Sequence, residues 1–155
     1  MSGATIEARL KKLGIDLPAP AAPAASYLAN VTSGQLIFVS GQLPGDADGM
    51  KFIGKVGREF TVEEGQAAAR LCAINVLASL KGALGELERV ARIVKLTGFV
   101  NAAPDFDEPH KVINGASDLI VEVLGENGRH ARSAVGVATL PLGVAVEVEA
   151  IAEIA

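Results

Sequence analysis

Residues 131–154, ARSAVGVATLPLGVAVEVEAIAEI, decide how the rest of the chain is read. Small and β-branched residues dominate on both sides of Pro141, Leu142 and Gly143, a group whose composition suits a turn. Two strands are therefore expected, Arg132 to Leu140 and Val144 to Ile154. A strand turns alternate side chains to opposite faces, so Arg132, Ala134, Gly136 and Ala138 share one face of the first. In the second, Val144, Val146 and Val148 point one way while Glu147, Glu149 and Glu153 point the other.

Working back from this segment, Val112, Ala116, Leu119 and Val123 form one helical stripe between Pro109 in the first turn and Gly125 after the last. With Asp107 as its cap, a helix over 108–124 is expected. Val90 to Val100 is apolar and β-branched on both faces, as expected of a central strand covered on each side. Thr61 and Glu64 make a capping box ahead of Leu71, Ile74, Leu77, Leu80 and Leu84, which predicts a long helix over 62–84. Tyr27 to Val31 and Leu36 to Ser40 read as a hairpin about Thr32, Ser33 and Gly34. Pro44 to Gly57 reads as a turn-rich segment ending in a short strand near Phe52. Asp46 and Asp48 there lack the later ligands and closing Glu of a calcium loop. Ile6, Leu10 and Leu13 predict a short helix over 5–13, and LPAPAAPAA, Leu17 to Ala25, is an extended connector. The order ββ(β)αβαββ predicts an α+β fold, a mixed sheet with two long helices on one face, over a single domain, 1–155, that includes the N-terminal helix and connector of 1–25.

Length and composition narrow the function. A chain of 155 residues can bury a real core. No uninterrupted apolar run reaches the roughly 18 residues that span a bilayer, so no membrane segment is expected. Glu7, Arg9, Lys11 and Lys12 interrupt any secretory leader, and a cytoplasmic location is expected. The single cysteine, Cys72, stands among Ala and Leu, which fits an inert core thiol in a reducing compartment. His110 and His130 are too isolated to assemble three or four ligands, so no metal is expected. Fourteen basic against eighteen acidic residues leave a net charge of −4, without a basic run for a phosphate backbone, and nucleic acid is not expected as partner.

The candidate chemistry lies in the segment first quoted. Arg132 beside a floor of Ala and Gly leaves room for a small ligand, and a planar guanidinium holds a carboxylate through two parallel hydrogen bonds. Spacing alone also fits a surface arginine at a strand start and glutamates that only solvate one sheet face.

Arg132 to Ala152, RSAVGVATLPLGVAVEVEAIA, closely resembles the C-terminal signature of the RidA/YjgF family, also called the L-PSP endoribonuclease family. Ser40-Gly41-Gln42 at a strand end, preceded by Tyr27, resembles that family's N-terminal region. The resemblance, which runs from about Tyr27 to Ala152, implies a chorismate-mutase-like fold assembled as a homotrimer with clefts between subunits. It implies hydrolysis of reactive enamines and imines such as 2-aminoacrylate to 2-keto acids and ammonia, with no cofactor. Carried over by position, Arg132 would bind the substrate carboxylate and Glu147 would activate water. Tyr27, Ser40 and Gly41 would line the cleft, joined by Asn114 if one residue is inserted after it. Ala134 stands where many members have cysteine, so thiol chemistry there is excluded. The N-terminal helix and the Gly/Asp-rich insertion near residue 48 exceed the family's compact form. The alternatives are a trimer that binds small carboxylates without turnover, and the family's older label of endoribonuclease or translation inhibitor. An acidic chain with one tyrosine and no tryptophan argues against the last.

If Pro141 to Gly143 form a hairpin turn, Glu147 lies opposite residue 137, roughly 17 Å along the strand from Arg132. Serving one small substrate then requires the two residues to come from different chains.

Overall fold

A computed structural model of the chain describes residues 3–23 and 25–155. Its elements are α1 (Ile6–Lys12), β1 (Asn30–Ser33), β2 (Leu36–Gln42), β3 (Gly45–Asp46), β4 (Gly49–Met50), α2 (Val62–Leu84), β5 (Val90–Asn101), α3 (Pro109–Leu124), β6 (Ala131–Val137) and β7 (Val146–Ile154). The α+β reading holds, with both long helices on one face of a mixed sheet.

Local signals place the helices. Thr61 Oγ1 accepts from Glu64 N at 3.2 Å while Thr61 N donates to Glu64 Oε1 at 3.2 Å, so the capping box starts α2 where the sequence predicts. Thr5 caps α1 through Ala8 N at 3.1 Å. At α3 the expected cap is corrected: Glu108, not Asp107, holds the N-cap position, and its side chain makes no capping bond. Pro109 starts that helix by its fixed φ, and Lys111 N and Val112 N bond the Glu108 carbonyl. The two long helices approach so closely that a Cβ on Gly115 would lie 2.1 Å from the Gln66 carbonyl oxygen. By length and composition α2 alone among the described helices could cross a membrane, yet it packs on the sheet and beside α3.

The five-stranded sheet has the order β1-β2-β7-β5-β6, antiparallel throughout except for the parallel β5–β6 pair. The expected β6–β7 hairpin is therefore overturned. Both edges of β7 are taken by β2 and β5, and segment 138–145 steps over the end of β5 instead of folding back on β6. Adjacency in sequence had stood for adjacency in the sheet. Buried Asn101, at the end of β5, holds this crossing in place. Its Nδ2 donates to the Val144 carbonyl at 3.1 Å and to those of Gly54 and Gly143 at 3.4 Å, and its Oδ1 accepts from Lys55 Nζ at 2.6 Å. Leu142 and Gly143, at φ 58° and 72°, make the tight reversal that brings the chain to β7.

The core lies between this sheet and the helices. Ile37, Val39, Leu96, Val100, Val146, Val148, Ala150 and Ala152 meet Ala69, Cys72, Val76, Leu77, Ile113, Ala116 and Ile120 there. Covering on both sides of β5 is not found: Leu96, Gly98 and Val100 are buried beneath the helices, whereas Arg92 and Val94 are exposed and Thr97 and Phe99 half-buried. β5 is central by its two strand partners, and its far face is open in the single chain. Near the N-terminus β1 begins three residues later than expected, and the reversal after it is made at Gly34, φ 61°. The insertion forms the small β3–β4 hairpin. Phe52, at φ 54°, is a bend rather than a strand, and Ile53 then bridges Val144.

Candidate functional site

The expected site residues fall into two clusters. The first is built where β6 meets α3. Arg132 is level with Leu96 of β5, so its side chain rises on the helix side of the sheet. Two successive turns of α3 receive it: Nη1 donates to Asn114 Oδ1 at 2.9 Å and to Ser117 Oγ at 3.2 Å, and Nη2 donates to the His110 carbonyl at 3.1 Å. Ser117 Oγ is in turn 2.9 Å from His130 Nε2, while His130 Nδ1 is 2.6 Å from the Gly128 carbonyl. A carbonyl only accepts, so Nδ1 carries a proton. In the neutral ring Nε2 accepts the Ser117 hydroxyl proton, which leaves the serine oxygen to accept from the guanidinium. Arg132 is thus aimed by a chain of hydrogen bonds, and no carboxylate lies within ion-pair distance of it among the described residues.

The Ala/Gly floor beside Arg132 is roofed only in part: Ala134 is half-buried, whereas Gly136 and Ala138 are exposed. Ile113 of α3 covers Gly98, where a Cβ would meet Ile113 Cδ1 at 2.5 Å, and Ala134 packs against the same core. At the level of Gly98 and Ala134 the small residues let α3 settle on the sheet, and the open part of the floor lies farther along β6. Ser117 and His130 were missed in the sequence. The signals existed: Ser117 follows Asn114 by three positions on one helix face, and His130 stands two residues before Arg132, just ahead of β6.

The second cluster surrounds a β-bulge. Val39 pairs Ala150 and Gln42 pairs Val148, so Ser40 and Gly41 together oppose the single residue Glu149. The bulge brings Gly41 against the Glu147 side chain: a Cβ on Gly41 would stand 2.1 Å from Glu147 Oε1. Only glycine leaves the carboxylate room. Burial, then the neighbouring charge of Glu149, raises the Glu147 carboxyl above the usual range for a glutamate. That carboxylate has no hydrogen-bond partner among the described residues, so it is desolvated yet available. Ser40 Oγ donates to the Leu28 carbonyl at 2.6 Å, and Tyr27 is 53% exposed. Tyr27, Ser40 and Gly41 border a cavity of about 530 Å³. Cys72 lies behind the cluster, fully buried, its thiol pushed well above the usual value first by burial and then by the charge of Glu147. It is a core residue and not a nucleophile.

Within one chain the clusters do not meet. Arg132 aligns with Leu96 and Glu147 with Phe99, and strand alternation turns side chains at an odd offset to opposite faces. Two strand spacings and three residues separate their backbones by roughly 14 Å.

Known proteins give this geometry a context. Protein TCP17 of Trypanosoma cruzi is 55% identical over 150 residues, covering 96% of this chain and 94% of that protein. The crystal structure of Atu1372 from Agrobacterium tumefaciens superposes with a TM-score of 0.91 at 52% identity, covering 97% of this chain and 92% of that one. The structure of E. coli TdcF with bound serine superposes with a TM-score of 0.64 at 28% identity, covering 88% of this chain and 94% of that one. Residues 7–154 match the family described as "YjgF/chorismate_mutase-like, putative endoribonuclease", and the chain belongs to this RidA/YjgF family.

Proposed function

We propose that the protein hydrolyses small 2-imino and enamine acids, of the 2-aminoacrylate type, to 2-keto acids and ammonium, in clefts formed between the subunits of a homotrimer. The observation that carries this is the pairing of an aimed guanidinium without a counter-ion and a desolvated carboxylate without a partner, on opposite faces of one sheet. Neither is complete alone. A neighbouring copy can bring its Arg132 to the Glu147 of the first, and a cyclic trimer closes such heterologous contacts. The open sheet face with Val31, Phe38 and Val135, each more than 40% exposed, supplies apolar surface for that contact. Serine bound to TdcF supports a small amino-acid-like ligand in a relative.

In this scheme Arg132 holds the substrate carboxylate by charge-assisted hydrogen bonds and orients C2. An enamine first tautomerises to the imine. Water then attacks C2 while Glu147 takes its proton, giving a carbinolamine. That proton returns to nitrogen, the C–N bond breaks and ammonia leaves, and the C2 hydroxyl gives its proton through Glu147 to the ammonia as the keto group forms, so ammonium is the nitrogen product. A base raised from the usual glutamate value takes that proton more readily than an ordinary carboxylate. Each turnover consumes one water and needs no redox partner. A lone buried thiol suits a cytosolic setting.

The test is to generate 2-aminoacrylate with a serine dehydratase and follow pyruvate. Faster release with this protein supports the reading. Binding of pyruvate without acceleration supports the non-catalytic carboxylate binder instead, and the absence of both rejects the proposal.

A further inference from the structure

We infer that the Pro/Ala connector, with the β3–β4 hairpin, builds a side-chain pocket that selects substrates with an apolar chain longer than the methyl group of the 2-aminoacrylate product. This rests on the function proposed above, because the pocket opens from Ser40 and Gly41, beside Glu147. Its construction is visible in the strand pairing. β1 pairs β2 as far as Val39, and Ser40 N still donates to the Ala29 carbonyl at 3.0 Å, so Gly41 and Gln42 are left without a strand on that edge and the connector Pro18–Pro23 borders the pocket there.

The remaining wall is largely apolar, with Met50 from the hairpin, Leu142 from the crossing segment, Ala78 from α2 and the ring of Tyr27, beside Asp46, whose carboxylate lies 3.9 Å from Lys51 Nζ. Three of the side-chain donors that share the wall already have partners. Ser40 Oγ donates to the Leu28 carbonyl, Gln42 Nε2 to that of Ser40, and Asn75 Nδ2 to those of Leu43 and Gly45. A ligand group entering here finds mostly hydrocarbon, and a polar group would give up water for little return. Met50, Tyr27 and Leu142 are 41%, 53% and 68% exposed, so an apolar ligand removes surface that water now covers. A volume of about 530 Å³ far exceeds what a three-carbon acid fills. The wall is held where it is by a glycine outside the pocket. A Cβ on Gly82, on the surface of α2, would stand 2.4 Å from Pro20 Cγ, so any larger residue there lifts the connector.

The products serve as stable probes. Dissociation constants are measured by calorimetry for pyruvate, 2-oxobutanoate, 2-oxopentanoate and 4-methyl-2-oxopentanoate with the wild-type protein and Gly82→Ala. Wild-type affinity is expected to rise about fourfold per added methylene, the transfer value of one buried CH2. Alanine favours the helix, so Gly82→Ala should fold, and its affinity should rise much less steeply with chain length. Methyl-labelled methionine gives a second readout that needs no variant, since Met1 and Met50 are the only methionines. The Met50 signal should shift with 4-methyl-2-oxopentanoate and barely with pyruvate. Pyruvate binding with no chain-length gain, or a still Met50 signal, overturns the pocket and leaves the proposed function standing. An equal gain in wild type and Gly82→Ala overturns the part given to the connector. If no keto acid binds, the proposed function falls and the pocket with it.

Discussion

Arg132 and Glu147 belong to strands that both pair with β5, yet they project from opposite faces of the sheet, Arg132 level with Leu96 and Glu147 level with Phe99. A substrate of three to six carbons cannot touch both within one chain. Mixing inactive Arg132→Ala with inactive Glu147→Gln protein under exchange conditions should therefore restore activity. With random trimers about one interface in four pairs an intact Arg132 with an intact Glu147, so about a quarter of wild-type activity is expected. Exchange confirmed by mass spectrometry without recovered activity, or an active monomer, would reject the shared cleft.

Arg132→Ala should weaken keto-acid binding by at least a hundredfold, and Arg132→Lys should be strongly impaired because an ammonium lacks the planar fork. The alanine variant also loses the tethers to Asn114, Ser117 and the His110 carbonyl, at a cost of about 1–2 kcal/mol, measurable by urea unfolding. Ser117→Ala leaves the charge but loosens its aim. It is expected to raise KM several-fold with kcat little changed. An equal fall in kcat at constant KM would show that Ser117 does not act through ligand placement.

Glu147→Gln should lower kcat far more than affinity, since the amide keeps the shape but cannot take a proton. Gly41→Ala should do the same by displacing the carboxylate, because its backbone suits alanine and only Glu147 stands in the way. The wild-type rate should rise with pH through the raised pKa of Glu147, above the ordinary glutamate range, as the base form accumulates. Stability runs the opposite way. A carboxyl raised in the folded state favours folding below its unfolded value and loses that contribution as pH climbs through the folded one. Glu147→Gln should therefore gain a little thermal stability at neutral pH, about 1–2 °C after solvent screening of a half-exposed group, and none near pH 3. A collapse of ligand binding at normal kcat would make Glu147 a binding group.

Cys72 is sealed beneath β7, with its Sγ 3.5 Å from the Val146 carbonyl and its thiol pushed up by burial. Iodoacetamide should leave the native protein unmodified for hours and label it rapidly in denaturant. Fast labelling in the native state would contradict the packing.

The sequence by itself determined the elements whose causes are local. Thr61 and Glu64 start α2 by a reciprocal pair of hydrogen bonds, Pro109 starts α3 by its fixed φ, and period-two alternation sets Glu147, Glu149 and Glu153 on one face of β7. The 131–154 segment also carried the family. Only the tertiary structure decided which strands are neighbours, because pairing depends on free strand edges far apart in the chain. β6 takes its place beside β5 after the α3 crossover, β7 is claimed on both edges, and Asn101 holds the step between them through carbonyls contributed by residues 54, 143 and 144. For the same reason the tie of Arg132 to Ser117, the bulge that presses Gly41 on Glu147 and the seat of Pro20 on Gly82 were not legible. Each is a contact between surfaces that folding alone brings together.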